Sequence, residues 1–418
     1  ILNNCYHFVN SLSSNAMILT KRGYILFIIT VLYISTGFSQ IREDRSYVVV
    51  DFYGDSLSFP IDASLNVPFE EQLSKKNITG FYENMRKGLY QPMIQTLVQY
   101  RDQKKLDDWF YYQLIRTTAE KLSPKADNYH RYTLYKWFLL NESGYSSTTR
   151  FRNDTLLLYV RSEEVIYDVP YYMKGDQQYV CLNYHDYNSN VNFDAISFST
   201  LSLPVGGNNR FSYKVTSLPT IKKNNYTVKQ IQFDYKNKDY RFNVVLDQQM
   251  QKIFTNYPVV EYASQFSIPL SQTTYNSLIP VLRDAVKGMT QQQGVDYLMQ
   301  FTRSAFLFQT DTKAYGKEKR LSAEQTLFYD YSDCEDRSAF FFNIIKEIYN
   351  LPMIVLSYPT HITVAIQFDH ASGTPIVYNG EQYWVCEPTP QKKNLKIGEI
   401  LPSLKKQPYE IVYAYKPF

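Results

Sequence analysis

No stretch of the chain gathers lysine and arginine among stacking aromatics as a nucleic-acid groove does. The formal charge of +4 is also small for 418 residues, so nucleic acid is set aside. Cysteine and histidine are scarce, four and five in all, and none falls at the spacing of zinc ligands. The apolar run from Tyr24 to Ile34 is shorter than the about 20 residues a membrane-spanning helix needs. What is plentiful is core-forming material: 44% of residues are hydrophobic against 20% charged, enough to fill two or three folded units. The 39 tyrosines fill cores and β faces more often than they line a sugar groove, so they lend a carbohydrate ligand little support.

The apolar run has the surroundings of an export signal. From Met17, Lys21 and Arg22 precede it, and Gly37 and Ser39 follow it ahead of Gln40. Residues 1–16 therefore read as an over-extended start, 17–39 as a signal peptide cleaved after Ser39, and the mature protein as periplasmic or secreted. No cysteine follows the run to receive a lipid, and no membrane span is expected in the mature chain. Removing Cys5 leaves three cysteines, an odd number, so at least one thiol stays unpaired unless chains pair with each other.

Periodicity divides the remainder. Residues 40–73 read as N-terminal strands. Residues 74–122 are helical, with "MIQTLVQY" and "DDWFYYQLIRTTAEKL" apolar at helical spacing and Asp107 as an N-cap. Between 189 and 270 the period becomes two: "AISFSTLSL", "KQIQFDY" and "YRFNVVLD" alternate, with "KNKD" as a hairpin turn, which predicts a small β sandwich. Helices return at "TYNSLIPVLRDAV" and "GVDYLMQFTRSAF", and the chain ends in strands.

Parts of the chain match one another. Tyr90, Met93, Ile94 and Leu97 fall over Tyr275, Leu278, Ile279 and Leu282. Asp108, Trp109 and Phe110 fall over Asp296, Tyr297 and Leu298. Further on, "YTLYKWFLLNESGY" lies over the helix that follows Cys334, "TLLLYV" over "ITVAIQF", and "GDQQYVCLNY" over "GEQYWVCEPT". In this alignment Asn128 stands for Cys334, Thr155 for His361, and no acid stands for Glu387. Residues 74–188 then read as a degenerate copy of 271–418, with an antiparallel sheet of its own; two unrelated helix-then-hairpin units of similar composition are the alternative.

The chemistry gathers around Cys334. In "YSDCEDRSAFFFNIIKEIYN", Ser332 and Glu335 fit a capping box that puts the thiol in the first turn of a buried helix. The helix dipole favours a thiolate there, whereas Asp333, Glu335 and Asp336 oppose it, so a cationic partner is required. "YPTHITVAIQF" supplies His361 at the start of a strand whose other face carries Ile362, Val364, Ile366 and Phe368. After an Asn379–Gly380 turn the return strand ends at Glu387, stopped by Pro388, with Cys386 turned to the core. An imidazole that takes the thiol proton, and an acid that orients the ring, make a nucleophile for acyl transfer. Paired with the imidazolium, Cys334 is expected to ionise below the ordinary thiol value of about 8.5.

"DCEDRS" before a buried helix, "YPTHITVAI" and "YNGEQYWVCEPT" resemble the Cys, His and Asp motifs of the transglutaminase-like superfamily, notably its exported members in Bacteroidetes. The resemblance covers residues 271 to about 415. It implies an α+β fold with a papain-like core, Cys334 as nucleophile, His361 as base and Glu387 as orienting acid, although the last motif usually reads Asp-Pro-Thr. It also asks for an oxyanion donor, for which Gln325 or the Cys334 backbone N–H are the candidates. A peptide or protein amide is the implied substrate, with no metal or organic cofactor. The competing reading is a catalytically inactive scaffold of the cell envelope, favoured by Glu387 in place of Asp.

Overall fold

A computed structural model describes residues 46–417 apart from residues 71, 188–196, 202–206, 223–224, 312 and 314–318. The expected start and signal segments lie outside the described residues. The chain opens with a hairpin, β1 (Ser46–Phe52) and β2 (Asp55–Ile61), joined through Tyr53 and Gly54, both at positive φ. Its inner face buries Val50, Phe52, Leu57 and Phe59, while Tyr47 and Val49 face outward, the alternation a one-sided sheet requires.

Four helices follow: α1 (Lys75–Lys87), α2 (Gln91–Lys104), α3 (Asp108–Leu122) and α4 (Tyr129–Glu142). The fourth is buried from Tyr132 to Asn141 without a break, as befits a central element. Strands β3 (Ser147–Arg152), β4 (Thr155–Arg161), β5 (Ile166–Tyr167), β6 (Tyr171–Lys174), β7 (Gln177–Cys181) and β8 (Ser199–Thr200) come next. Five of them form one antiparallel sheet in the order β6-β7-β4-β3-β8. Leu156, Leu158, Val160, Val180 and Leu182 share the core that holds α4, and Leu157, Tyr159, Tyr179 and Cys181 form a smaller cluster on the other face.

The expected sandwich at 189–270 is not found among the described residues. What alternates with period two is a long ribbon, β9 (Tyr226–Tyr235) and β10 (Lys238–Asp247), turning through Lys236 and Asn237. One face, with Ile231, Phe233, Tyr235, Val244 and Leu246, belongs to the second hydrophobic core. Period two reports a strand with one covered face; it does not say whether a sheet or a helix is the cover.

The second half runs α5 (Gln248–Ile253), β11 (Val259–Val260, paired with β5), α6 (Tyr262–Ser267), α7 (Gln272–Ala285), α8 (Gln291–Ser304), β12 (Leu307–Phe308), α9 (Ala323–Phe328), β13 (Tyr331–Ser332) and α10 (Cys334–Tyr349). It closes with β14 (Met353–Tyr358), β15 (His361–Gln367), β16 (Ile376–Tyr378), β17 (Glu381–Cys386) and β18 (Glu410–Tyr415). These last five form an antiparallel sheet in the order β16-β17-β15-β14-β18, strand for strand the order of the first sheet. α10 shares a core with Met353, Val355, Ile362, Val364, Ile366, Trp384 and Cys386, and the opposite face packs Ile354, Leu356, Ala365, Tyr383 and Val385 under Leu404.

Glu324 pins this half together. Its buried carboxylate accepts from the Ser271 N–H at 2.6 Å, the Ser271 hydroxyl at 2.9 Å and the Thr274 hydroxyl at 2.7 Å, tying the start of α7 to α9. Glu324→Ala leaves those donors buried and unpaired, so urea unfolding is expected to show a loss of about 3 kcal/mol; an unchanged midpoint would contradict this role.

Candidate active site

Helix α10 begins at Cys334 because Asp333 caps it. The Asp333 carboxylate accepts from the N–H groups of Glu335 and Asp336, and the Asp336 carboxylate accepts in return from the Asp333 N–H. The capping box is thus Asp333–Asp336, one residue later than the Ser332–Glu335 box expected. Ser332 is committed to β13, where it pairs with Phe308 of β12. The cap carboxylate serves Glu335 and Asp336 and leaves the first helical N–H, that of Cys334, outside the box.

Two of the three predicted residues touch, and no hydrogen bond among the described residues joins Cys334 to either of them. His361, the first residue of β15, has Nε2 at 2.7 Å from Oε2 of Glu387. Glu387 lies just past the last rung of β15 with β17, Val364 to Cys386. It is 1% exposed, and its other oxygen accepts from the Thr389 N–H at 2.9 Å. Cys334 lies toward the same strand start: the Ser338 hydroxyl, one turn further along α10, donates to the Ile362 carbonyl at 3.1 Å, and the Ile362 backbone favours the ionised form of the Cys334 thiol.

Cys181, Cys334 and Cys386 are all free thiols, and only Cys334 is not fully buried. Its pKa is pushed well above the ordinary thiol range. Burial is the main cause, followed by the negative charge of Asp333 and then those of Glu335 and Glu387, with the Ile362 N–H opposing. These effects favour the neutral thiol, whereas the sequence pointed to a thiolate. The helix dipole loses because three carboxylates crowd one end of the helix in a poorly solvated site. Burial likewise pushes Cys181 up to about 12.

Gln325 has another task. It is the third residue of α9, and its Oε1 accepts from the N–H of the cap residue Ser322 at 3.0 Å. Its Nε2 is buried with no hydrogen-bond partner, and no hydrogen bond among the described residues joins it to Cys334. Asp311, Asp333 and Asp336 bring carboxylate oxygens within 4.8 Å of one another, the one group among the described residues with the composition of a metal centre. All three are buried and already accept backbone N–H groups, of Lys319, of Glu335 and Asp336, and of Leu321 and Asp333 respectively. Burial and the charges of Asp333 and Asp311 push Asp336 far above the usual carboxylate range, which favours its protonated form.

Sequence reasoning passed over the residues that hold the site in place. Arg337, 0% exposed, donates to the carbonyls of Thr302 at 2.8 Å, Arg303 at 3.0 Å, Phe306 at 2.9 Å and Ser332 at 3.4 Å. An arginine inside an otherwise apolar helix was the available signal. Arg320 donates to Glu335 at 3.0 Å and stacks on Tyr262 at 3.8 Å, and Tyr262 also donates to Glu335, at 2.7 Å; nothing in their spacing marked them.

The first half carries different groups at the corresponding places. Asn128 caps α4 by accepting from the Arg131 N–H, as Asp333 caps α10, so Tyr129 rather than Asn128 stands where Cys334 stands. Thr155 opens β4 after a two-residue turn, as His361 opens β15. Six residues beyond the first residue of β7 is Asn183, and six beyond that of β17 is Glu387. Asn183 is wholly buried: Oδ1 accepts from the Leu158 N–H at 2.8 Å, and Nδ2 donates to the Leu156 carbonyl at 2.9 Å and the Tyr129 hydroxyl at 2.7 Å. These positions thus hold no thiol, imidazole or carboxylate.

Compared with protein-family models, with curated proteins and with solved structures, the chain matches none.

Removing the Asp333 charge while keeping a capping side chain favours the thiolate, so Asp333→Asn is expected to shift the pH dependence of Cys334 alkylation to lower pH. Peptide mass mapping should find native-state label at Cys334 and none at Cys181 or Cys386. An unmoved profile, or label at the two buried thiols, would contradict this description.

Proposed function

We propose that the chain is an exported transglutaminase-like thiol enzyme that transfers or hydrolyses the acyl group of a peptide or protein amide through a thioester on Cys334. The observation that carries the reading is the 2.7 Å contact between His361 Nε2 and the buried Glu387 carboxylate, beside a thiol at the first position of α10. With Nε2 committed to Glu387, Nδ1 is the ring atom available to Cys334. Because the thiol rests neutral, the imidazole takes its proton as the sulfur attacks the amide carbonyl. The Cys334 N–H, outside the capping box at the positive end of α10, supplies a donor for the oxyanion. Gln325 Nε2 remains the second candidate donor.

The imidazolium then gives its proton to the departing amine, the C–N bond breaks, and the thioester remains. Water, deprotonated by the same ring, or a second amine closes the cycle and returns the thiol. Glu387 keeps the proton on Nε2 and so keeps Nδ1 basic. In this reading residues 271–418 are a catalytic domain with a papain-like core, and 74–188 a degenerate copy. The shared strand order supports that duplication, as do Tyr129, Thr155 and Asn183 at the three site positions. Among the described residues no helix is long and apolar enough to cross a membrane, and export rests on the 17–39 segment.

The second reading, an inactive envelope scaffold, draws on the raised thiol pKa and on the first half's lack of chemical groups. Acylation by p-nitrophenyl acetate separates the two. The wild type should gain one acetyl group at Cys334 and turn it over. Cys334→Ala should abolish this, and His361→Ala should slow it by about 10³-fold. Glu387→Asp should stay within about tenfold of wild type. A wild-type rate no greater than that of a free thiol, indifferent to His361→Ala, would favour the scaffold.

A further inference from the structure

We propose that Arg303 is a positioning residue of this site, holding the Glu387 backbone so that its carboxylate meets His361; the proposal rests on the thiol-enzyme reading above. Glu387 needs such a hold because it has left the sheet. The last rung between β15 and β17 is Val364 to Cys386, and Pro388 follows at once, so the strand cannot continue. The Glu387 carbonyl is instead taken by Arg303 Nε at 2.8 Å, and the same guanidinium donates from a terminal nitrogen to the Leu395 carbonyl at 2.9 Å. One side chain thus closes the loop that begins with the acid.

Arg303 is in turn held from the nucleophile's side. It lies in the last turn of α8, and Arg337 takes its carbonyl at 3.0 Å together with that of Thr302 at 2.8 Å. Arg337 sits on α10, three residues beyond Cys334. A continuous brace therefore runs from the nucleophile's helix through Arg337, the end of α8 and Arg303 to Glu387. Both guanidiniums are at most 5% exposed and spend their donors on carbonyls, which is how a buried cation avoids a large desolvation penalty. Lysine cannot reproduce this, because it lacks the planar fork that reaches two carbonyls at once.

If the brace sets the acid, its loss should cost what loss of the acid costs, and no more. Arg303→Met is expected to slow acylation of Cys334 by p-nitrophenyl acetate by about 10- to 100-fold, the scale of an ångström misplacement in a catalytic group. In a Glu387→Ala background the same change should alter the rate by less than about twofold, since two residues acting through one group are not additive. Arg303→Lys, which keeps the charge and one donor, should recover part of the rate, and it serves in the cycle if the Met variant does not fold. Equal slowing in both backgrounds, or a wild-type rate for Arg303→Met, would overturn the proposal while leaving the enzyme reading intact. A Glu387→Ala rate equal to wild type would instead remove the triad on which the proposal stands.

Discussion

Everything at this site depends on how one buried cation is satisfied. Arg337 has no access to solvent, and burial lowers its pKa to about 10 even with Asp336 and Asp333 nearby. Four carbonyl groups answer it, three from the end of α8 and the residues just beyond it, and one from Ser332 just before α10. The carbonyls at a helix C-terminus carry partial negative charge and lack partners within the helix, so they suit a guanidinium. Removing such a cation strands those groups, at a cost of about 3–5 kcal/mol. The interaction sets α10 against α8, and through α8 sets the loop that carries Glu387.

The acidic mouth of α10 has two consequences that oppose each other. Asp333 and Asp336 make the helix start well defined, by closing a reciprocal cap. Asp333, with Glu335 and Glu387, also disfavours a negative sulfur in this poorly solvated place. Burial and these charges favour a neutral thiol over a preformed thiolate pair. In the proposed reading the thiol rests neutral and His361 takes its proton at the moment of attack.

Much of this could be read from the residues alone, and the places where it could not are instructive. Cys334, His361 and Glu387 were legible because each sits at the end of an element with a strong local signal: a cap, a strand start, and a strand stopped by Pro388 after an Asn-Gly turn. The cap was misplaced by one residue because two acceptors, Ser332 and Asp333, stood side by side, and only pairing with β12 decided between them. The two halves also differ in register at their second turn. The second turn falls at residues 175–176 in one and 379–380 in the other, so matching Gly175 to Gly380 hid Asn183 opposite Glu387. The direction of the thiol pKa and the role of Arg303 depend on burial and on carbonyls distant in sequence, which no local pattern encodes.

The central claim is that Glu387 fixes His361 in the form that can accept a proton from Cys334. Nitrogen-15 spectra of histidine-labelled protein report it directly, through the tautomer of the neutral His361 ring. The account requires the proton on Nε2, facing Glu387, with Nδ1 bare, and Glu387→Ala should weaken that preference. A neutral ring protonated on Nδ1 would leave the thiol without a base and would contradict the account.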